Sequence, residues 1–165
     1  MPTPDMPESQ PPSNEPPKRM NVQGVQLNVT RTLMITGLRD GGPYVVILRG
    51  TVCRVAPRLL RWLCSLAWHL YEYPPQGWCP YTAYSNDVRA THQVTRRLRG
   101  ALEDRKLIRN DRGGCYRLTV RWDDIQWHVD SLRSVVDEDL NKVLGPVLSV
   151  LDVAPPPVDD DALGE

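Results

Sequence analysis

Residues 91–120 read THQVTRRLRGALEDRKLIRNDRGGCYRLTV, and this stretch decides the fold. At about 100° per residue Val94, Leu98, Ala101 and Leu102 fall within one arc, the buried stripe of an amphipathic helix. His92, Arg96, Arg99 and Glu103 lie opposite, with Gln93 and Arg97 flanking them. Thr91 is placed as the N-cap, since a Thr hydroxyl accepts from the first free backbone N–H groups. Leu107 and Ile108 then start a strand, residues 111–114 turn, and Tyr116-Arg117-Leu118 return as its partner. Arg109, Arg112 and Arg117 line that hairpin. A helix with an arginine face beside a small arginine-bearing hairpin matches a winged helix-turn-helix, in which one element enters the major groove and the other meets the backbone.

Working outward, the segment before this helix is less regular. Residues 80–88 hold room for a short second helix, although Ser85, Asn86 and Asp87 favour caps and turns. Residues 57–70 form a helix with Leu59, Leu60, Leu63, Ala67 and Leu70 inward, Arg58 and Arg61 outward, and Pro57 at the first position. Pro74-Pro75-Gln76-Gly77 ends it. Upstream, residues 26–36, 44–48 and 51–55 read as strands separated by an Asp-Gly-Gly-Pro turn and a tight Arg49-Gly50 turn. The expected class is α+β: an N-terminal antiparallel sheet, a winged helix-turn-helix and a C-terminal hairpin wing.

Downstream, Ile125, Val129, Leu132, Val136, Leu140, Val143, Val147 and Val150 recur at threes and fours. That predicts an appended amphipathic helix over 122–152 with Asp123 as its cap, ended or kinked at Gly145-Pro146. Such a stripe either packs on its own domain or pairs two copies through residues 125–150, placing two recognition helices on successive half-sites. The domain limits are then a Pro-rich disordered tail at 1–21, the winged helix at 22–121, the helix at 122–152 and a disordered acidic tail at 153–165.

Formal net charge is zero, which hides a polarity along the chain. Residues 44–121 carry fourteen Lys and Arg against five Asp and Glu, and residues 122–165 carry two against eleven. A basic body with an acidic tail points to nucleic acid, to self-masking of the arginine face by the tail, or to both. Four widely spaced cysteines with no C-x-x-C pair do not suggest zinc. With no apolar run near the ~20 residues of a membrane span and no secretory signal, the expected place is the cytoplasm, with reduced thiols. His69, His92 and His128 lie in no catalytic spacing, and Gly113-Gly114 sits in a turn and cradles no phosphate. No enzyme, cofactor or metal is expected.

The strings VILRGTVCRVAP at 46–57, RRLRGALE at 96–103 and RGGCYRL at 112–118 resemble the OmpR-type effector domain, the winged helix found in response regulators. The resemblance covers about residues 33–120, without a receiver domain. It implies that Arg96, Arg97 and Arg99 contact the major groove and phosphates, that Arg112 and Arg117 contact the adjacent minor groove or backbone, and that Tyr116 packs at the wing's base. Three places depart from the family pattern: Thr95 stands for a β-branched aliphatic, Ala56 for a Ser or Thr cap, and the second-helix region holds Trp78 and Cys79-Pro80. The expected function is a DNA-binding transcriptional regulator that reads double-stranded DNA through His92, Gln93, Arg96, Arg97, Arg99, Arg109, Arg112 and Arg117. The alternative is a winged-helix protein-interaction adaptor.

Overall fold

In a computed structural model that describes residues 18–153, the first elements are a tight hairpin, β1 (Lys18–Val22) and β2 (Val25–Val29). Gln23 and Gly24 both have positive φ, the backbone of a two-residue turn whose twist matches its strands. Arg49 and Gly50 repeat this geometry between β4 (Tyr44–Leu48) and β5 (Thr51–Val55), as the sequence predicts. The expected disordered tail at 1–21 is corrected at residues 18–21. Met20 and Val22 alternate with polar groups and find partners in Leu27 and Val25. The rest of that expectation lies outside the described residues, as does the tail beyond Val153.

With β3 (Leu33–Arg39), strands β4 and β5 form a sheet ordered β5-β4-β3-β9, where β9 is Ile125–Trp127. The β1–β2 hairpin packs its Leu27 and Val29 on Met34, Val45 and Ile47, covering one face of this sheet. Leu33, Ile35, Val46 and Leu48 point to the helices on the other face. Burial on both faces explains why Tyr44–Leu48 is an unbroken apolar run rather than an alternating one.

The helical layer contains α1 (Pro57–Glu72), α2 (Val88–Leu102), α3 (Val129–Arg133) and α4 (Glu138–Val153). Helix α1 runs through the centre, so Trp62, Cys64 and Leu66 are buried in addition to its expected stripe. Between α1 and α2 lie a two-residue strand β6 (Cys79–Pro80) and a single 3-10 turn, Tyr81–Ala83, in place of a second helix. Strands β7 (Ile108–Asn110) and β8 (Cys115–Leu118) form the expected hairpin, and β6 pairs with β8 to complete a small sheet ordered β6-β8-β7. The architecture is mixed α+β.

The C-terminal segment differs most from its reading. Residues 122–152 are a 3-10 turn, strand β9, then α3 and α4, rather than one helix capped by Asp123. The Ile-Gln-Trp run is apolar and aromatic enough to serve as a strand, and β3 offers it an edge in parallel register, Leu33 opposite Ile125 and Ile35 opposite Trp127. The sheet is therefore mixed, not antiparallel. Gly37 lets α3 lie directly on β3, since a Cβ there would strike the Ser131 carbonyl, and its N–H donates to Ser131 Oγ at 2.8 Å. Asp137 caps α4 by accepting from Leu140 N at 3.1 Å. Pro146 lies inside α4 without ending it: Lys142, whose carbonyl loses its N–H partner, and Gly145 are both on the exposed side, where a freed carbonyl is not cut off from solvent.

The apolar stripe expected to pair two copies is largely used within the chain. Ile125, Leu132, Leu140 and Val147 are buried, Val129, Val143 and Val150 are half-buried, and only Val136 stands out, at 86% exposed. Little of the stripe remains for dimerisation.

Candidate functional site

Helix α2 begins one turn earlier than its sequence suggests. Its N-cap is Asp87, whose Oδ1 accepts from Arg89 N at 2.9 Å, and Thr91 lies inside the helix. Thr91 is fully buried, and its hydroxyl donates to the Tyr81 carbonyl at 3.0 Å. One turn on, Thr95 accepts from the buried Trp62 indole at 2.9 Å and donates to the Thr91 carbonyl at 2.8 Å. These bonds tie α2 to α1 and to the 3-10 turn. They also account for Thr95: an aliphatic residue there would leave the Trp62 N–H buried without an acceptor. Trp62 meets Tyr84 and Tyr116 edge-on at 5.7 and 5.8 Å, so the same indole anchors the base of the hairpin.

With Val94, Leu98 and Leu102 facing inward beside the two threonines, the opposite face of α2 presents His92, Gln93, Arg96 and Arg97 to solvent. Arg89 joins them because the helix starts at Val88. No Asp or Glu occurs between Val88 and Leu102. Two of the acidic groups nearby are engaged elsewhere, while Glu103, at the C-terminal end of α2, is exposed. Asp104 pairs with Arg49 at 2.6 Å, and Asp111 closes the hairpin turn by accepting from Gly113 N and Cys115 N at 2.9 Å each. Burial works against ionisation of Asp104, but Arg49 and the backbone N–H groups of Lys106 and Leu107 hold its carboxyl below the usual range.

The arginines divide into two sets. Half-buried Arg99 points Nε and Nη2 at the Ile108 carbonyl, at 3.2 and 2.7 Å, with Nη2 also 3.4 Å from Asn110 Oδ1. It fastens α2 to β7. Arg117 lies 5.5 Å over the Trp78 ring and donates to the Gln76 carbonyl at 3.4 Å. Both positions thus have structural work. Arg96, Arg97, Arg109 and Arg112 are exposed, and none forms an ion pair among the described residues.

Arg109 stands directly across the β7–β8 ladder from Arg117. Like charges in that position repel, a cost that an anion spanning them would remove. Beside β7, an open cleft of about 600 Å3 is lined by Arg99, Arg105, Lys106 and Arg109 with Ile108, Asn110 and Thr119, and by no carboxylate. Arg89, Arg105 and Lys106 were not singled out by sequence. Arg89 needed the true helix start, and Arg105-Lys106 sit in a link with no periodicity to read.

The thiols do not resemble nucleophiles. Burial pushes Cys79 up to about 12, burial and then Asp111 raise Cys115, and Cys64 is raised by burial alone. Among the described residues no group of three or more His, Cys, Asp or Glu could hold a metal ion, and no helix is long and apolar enough to cross a membrane. His69 Nδ1 lies 2.9 Å from the Ser65 carbonyl one turn back on α1. Compared with family models, curated proteins and solved structures, the chain finds no match.

Proposed function

We infer that the protein is a winged helix-turn-helix DNA-binding regulator in which α2 enters the major groove and the β7–β8 hairpin rests on the adjacent backbone. The observation that carries this reading is the exposed face of α2: Arg89, His92, Gln93, Arg96 and Arg97, with no carboxylate on the helix and no ion pair to those arginines among the described residues. The element order supports it. Helix α1, the 3-10 turn, α2 and the hairpin follow one another as in a winged helix, with the turn Tyr81–Ala83 standing where the second helix belongs. Gln93 and the arginines carry donors suited to base edges as well as phosphates. Arg112 at the hairpin tip and Arg109 on β7 suit the backbone.

Of the residues singled out by sequence, His92, Gln93, Arg96, Arg97, Arg109 and Arg112 keep a contact role in this proposal. Arg99 and Arg117 become positioning residues. That reassignment is what favours the second reading, an adaptor that uses the same fold to dock a protein partner. Substitution separates the two. Arg96→Ala and Arg112→Ala should each make the salt dependence of duplex binding shallower by about 0.9 in log–log slope. Arg133→Ala, whose partner is Asp152 on α4, should leave it unchanged. Duplex binding indifferent to all three substitutions would remove α2 and the hairpin as the contact surface.

A further inference from the structure

Four aromatic rings form a continuous row outside the α2 surface. Trp68 stacks on Tyr71 at 5.3 Å, Tyr71 meets Trp122 at 5.0 Å, and Trp122 meets Trp127 at 5.7 Å. Tyr71 is 44% exposed and the three tryptophans are half-buried, so each ring keeps some surface open. It ends at a cavity of about 230 Å3 whose walls include Arg31, Trp122, Trp127 and, from the last turn of α4, Leu151. The indole Nε1 of Trp127 is buried and has no hydrogen-bond partner among the described residues. Gln126 cannot serve it: its amide oxygen accepts from Thr30 N and its nitrogen donates to the Asn28 carbonyl, both at 2.8 Å.

Rings in a row suit a polyproline II segment. Such a segment makes no internal hydrogen bonds, so its carbonyls remain acceptors, and its prolines lie flat on aromatic faces at little entropic cost. The chain carries one in reach. Residues 155–157 are Pro-Pro-Pro, followed by Asp159, Asp160 and Asp161. Pro155 comes four residues after Leu151, a span of at most about 14 Å, and Leu151 itself lines the cavity. Arg31 supplies a cation for the aspartates. A tether this short keeps the local concentration of the segment high without any further contact.

We propose that residues 154–165 dock back on the Trp68–Tyr71–Trp122–Trp127 row of the same chain, prolines on the rings and acidic residues toward Arg31. The inference is independent of DNA binding. Docked there, Asp159, Asp160 and Asp161 would lie beside α4 and away from the arginines of α2.

The test uses the full chain with 15N-labelled tryptophan, whose five indoles give five cross-peaks. Replacing Pro155, Pro156 and Pro157 together by Ser should move the Trp68, Trp122 and Trp127 peaks beyond their linewidths. Trp62, enclosed in the core, and Trp78, beside Arg117, should stay. Five unmoved peaks in the proline variant would overturn the proposal. So would a wild-type spectrum that converges on the variant's on dilution, which would assign the contact to a second copy.

Discussion

Thr95→Val isolates the bond that seats the proposed recognition helix. Thr95 and Trp62 are both fully buried, with 2.9 Å between the indole Nε1 and the hydroxyl oxygen. Valine fills nearly the same volume, so no cavity opens, and the change is the loss of an acceptor. A buried donor left unpaired costs about 1–3 kcal/mol. The lost hydroxyl also gave a bond to the Thr91 carbonyl, but the removal of its own burial cost offsets that in part. The net expectation is a destabilisation of about 1–2 kcal/mol. For a domain of this size that lowers Tm by about 3–8 °C. Thermal melts followed by circular dichroism measure the shift, and urea melts at unchanged slope confirm that stability alone has moved. Thr95→Ala should fall further, because it also removes a packed methyl group. A Thr95→Val protein that melts at or above the parent temperature would refute the claim that this hydroxyl holds α2.

Three further outcomes follow from the same region. Glu103 ends α2 at φ 55°, a left-handed conformation that costs a side-chain-bearing residue energy, so Glu103→Gly should raise stability by about 0.5–1 kcal/mol in urea titration. A lower urea midpoint would count against that strain. Arg99→Ala should cost about 1–2 kcal/mol through its lost bonds to β7, whereas Arg96→Ala should stay within about 0.5 kcal/mol. Equal stability of the two variants would return Arg99 to the free surface. Because the folded state lowers the Asp104 pKa, the stability this group contributes is present above its unfolded value of about 3.9 and lost as pH falls through the folded one. The advantage of the parent over Arg49→Ala should therefore begin to shrink as pH falls below about 4 and disappear once the folded Asp104 is protonated too, and an advantage undiminished in strong acid would contradict that origin.

The parts legible in the sequence were those whose pattern and partner are local. The Arg49-Gly50 turn, the core of α1, the inward stripe of α2 and the β7–β8 hairpin all follow from neighbours within a few residues. Non-local choices were hidden. Ile125, Val129 and Leu132 satisfy a helical period, yet an open edge on β3, some ninety residues earlier in the chain, draws Ile125–Trp127 into a strand. The start of α2 was misplaced because Thr91 suits both a cap and a buried hydroxyl, and only the Tyr81 carbonyl decides between them. In the candidate site, charge was readable and availability was not. Arg99 and Arg96 look alike in sequence, and the difference lies in a carbonyl on β7 that takes one and not the other.

The proposed DNA contact rests on an arginine face that forms no ion pair among the described residues. Five exposed arginines belong to it: Arg89, Arg96 and Arg97 on α2, with Arg109 and Arg112 on the hairpin. The direct measurement is the affinity of the full chain for a random-sequence duplex as salt rises from about 50 to 200 mM. If each arginine neutralises one phosphate, log K should fall against log salt with a slope near −4.5, at about −0.9 per contact. Binding that is absent at low salt, or that does not weaken as salt rises, would contradict the account.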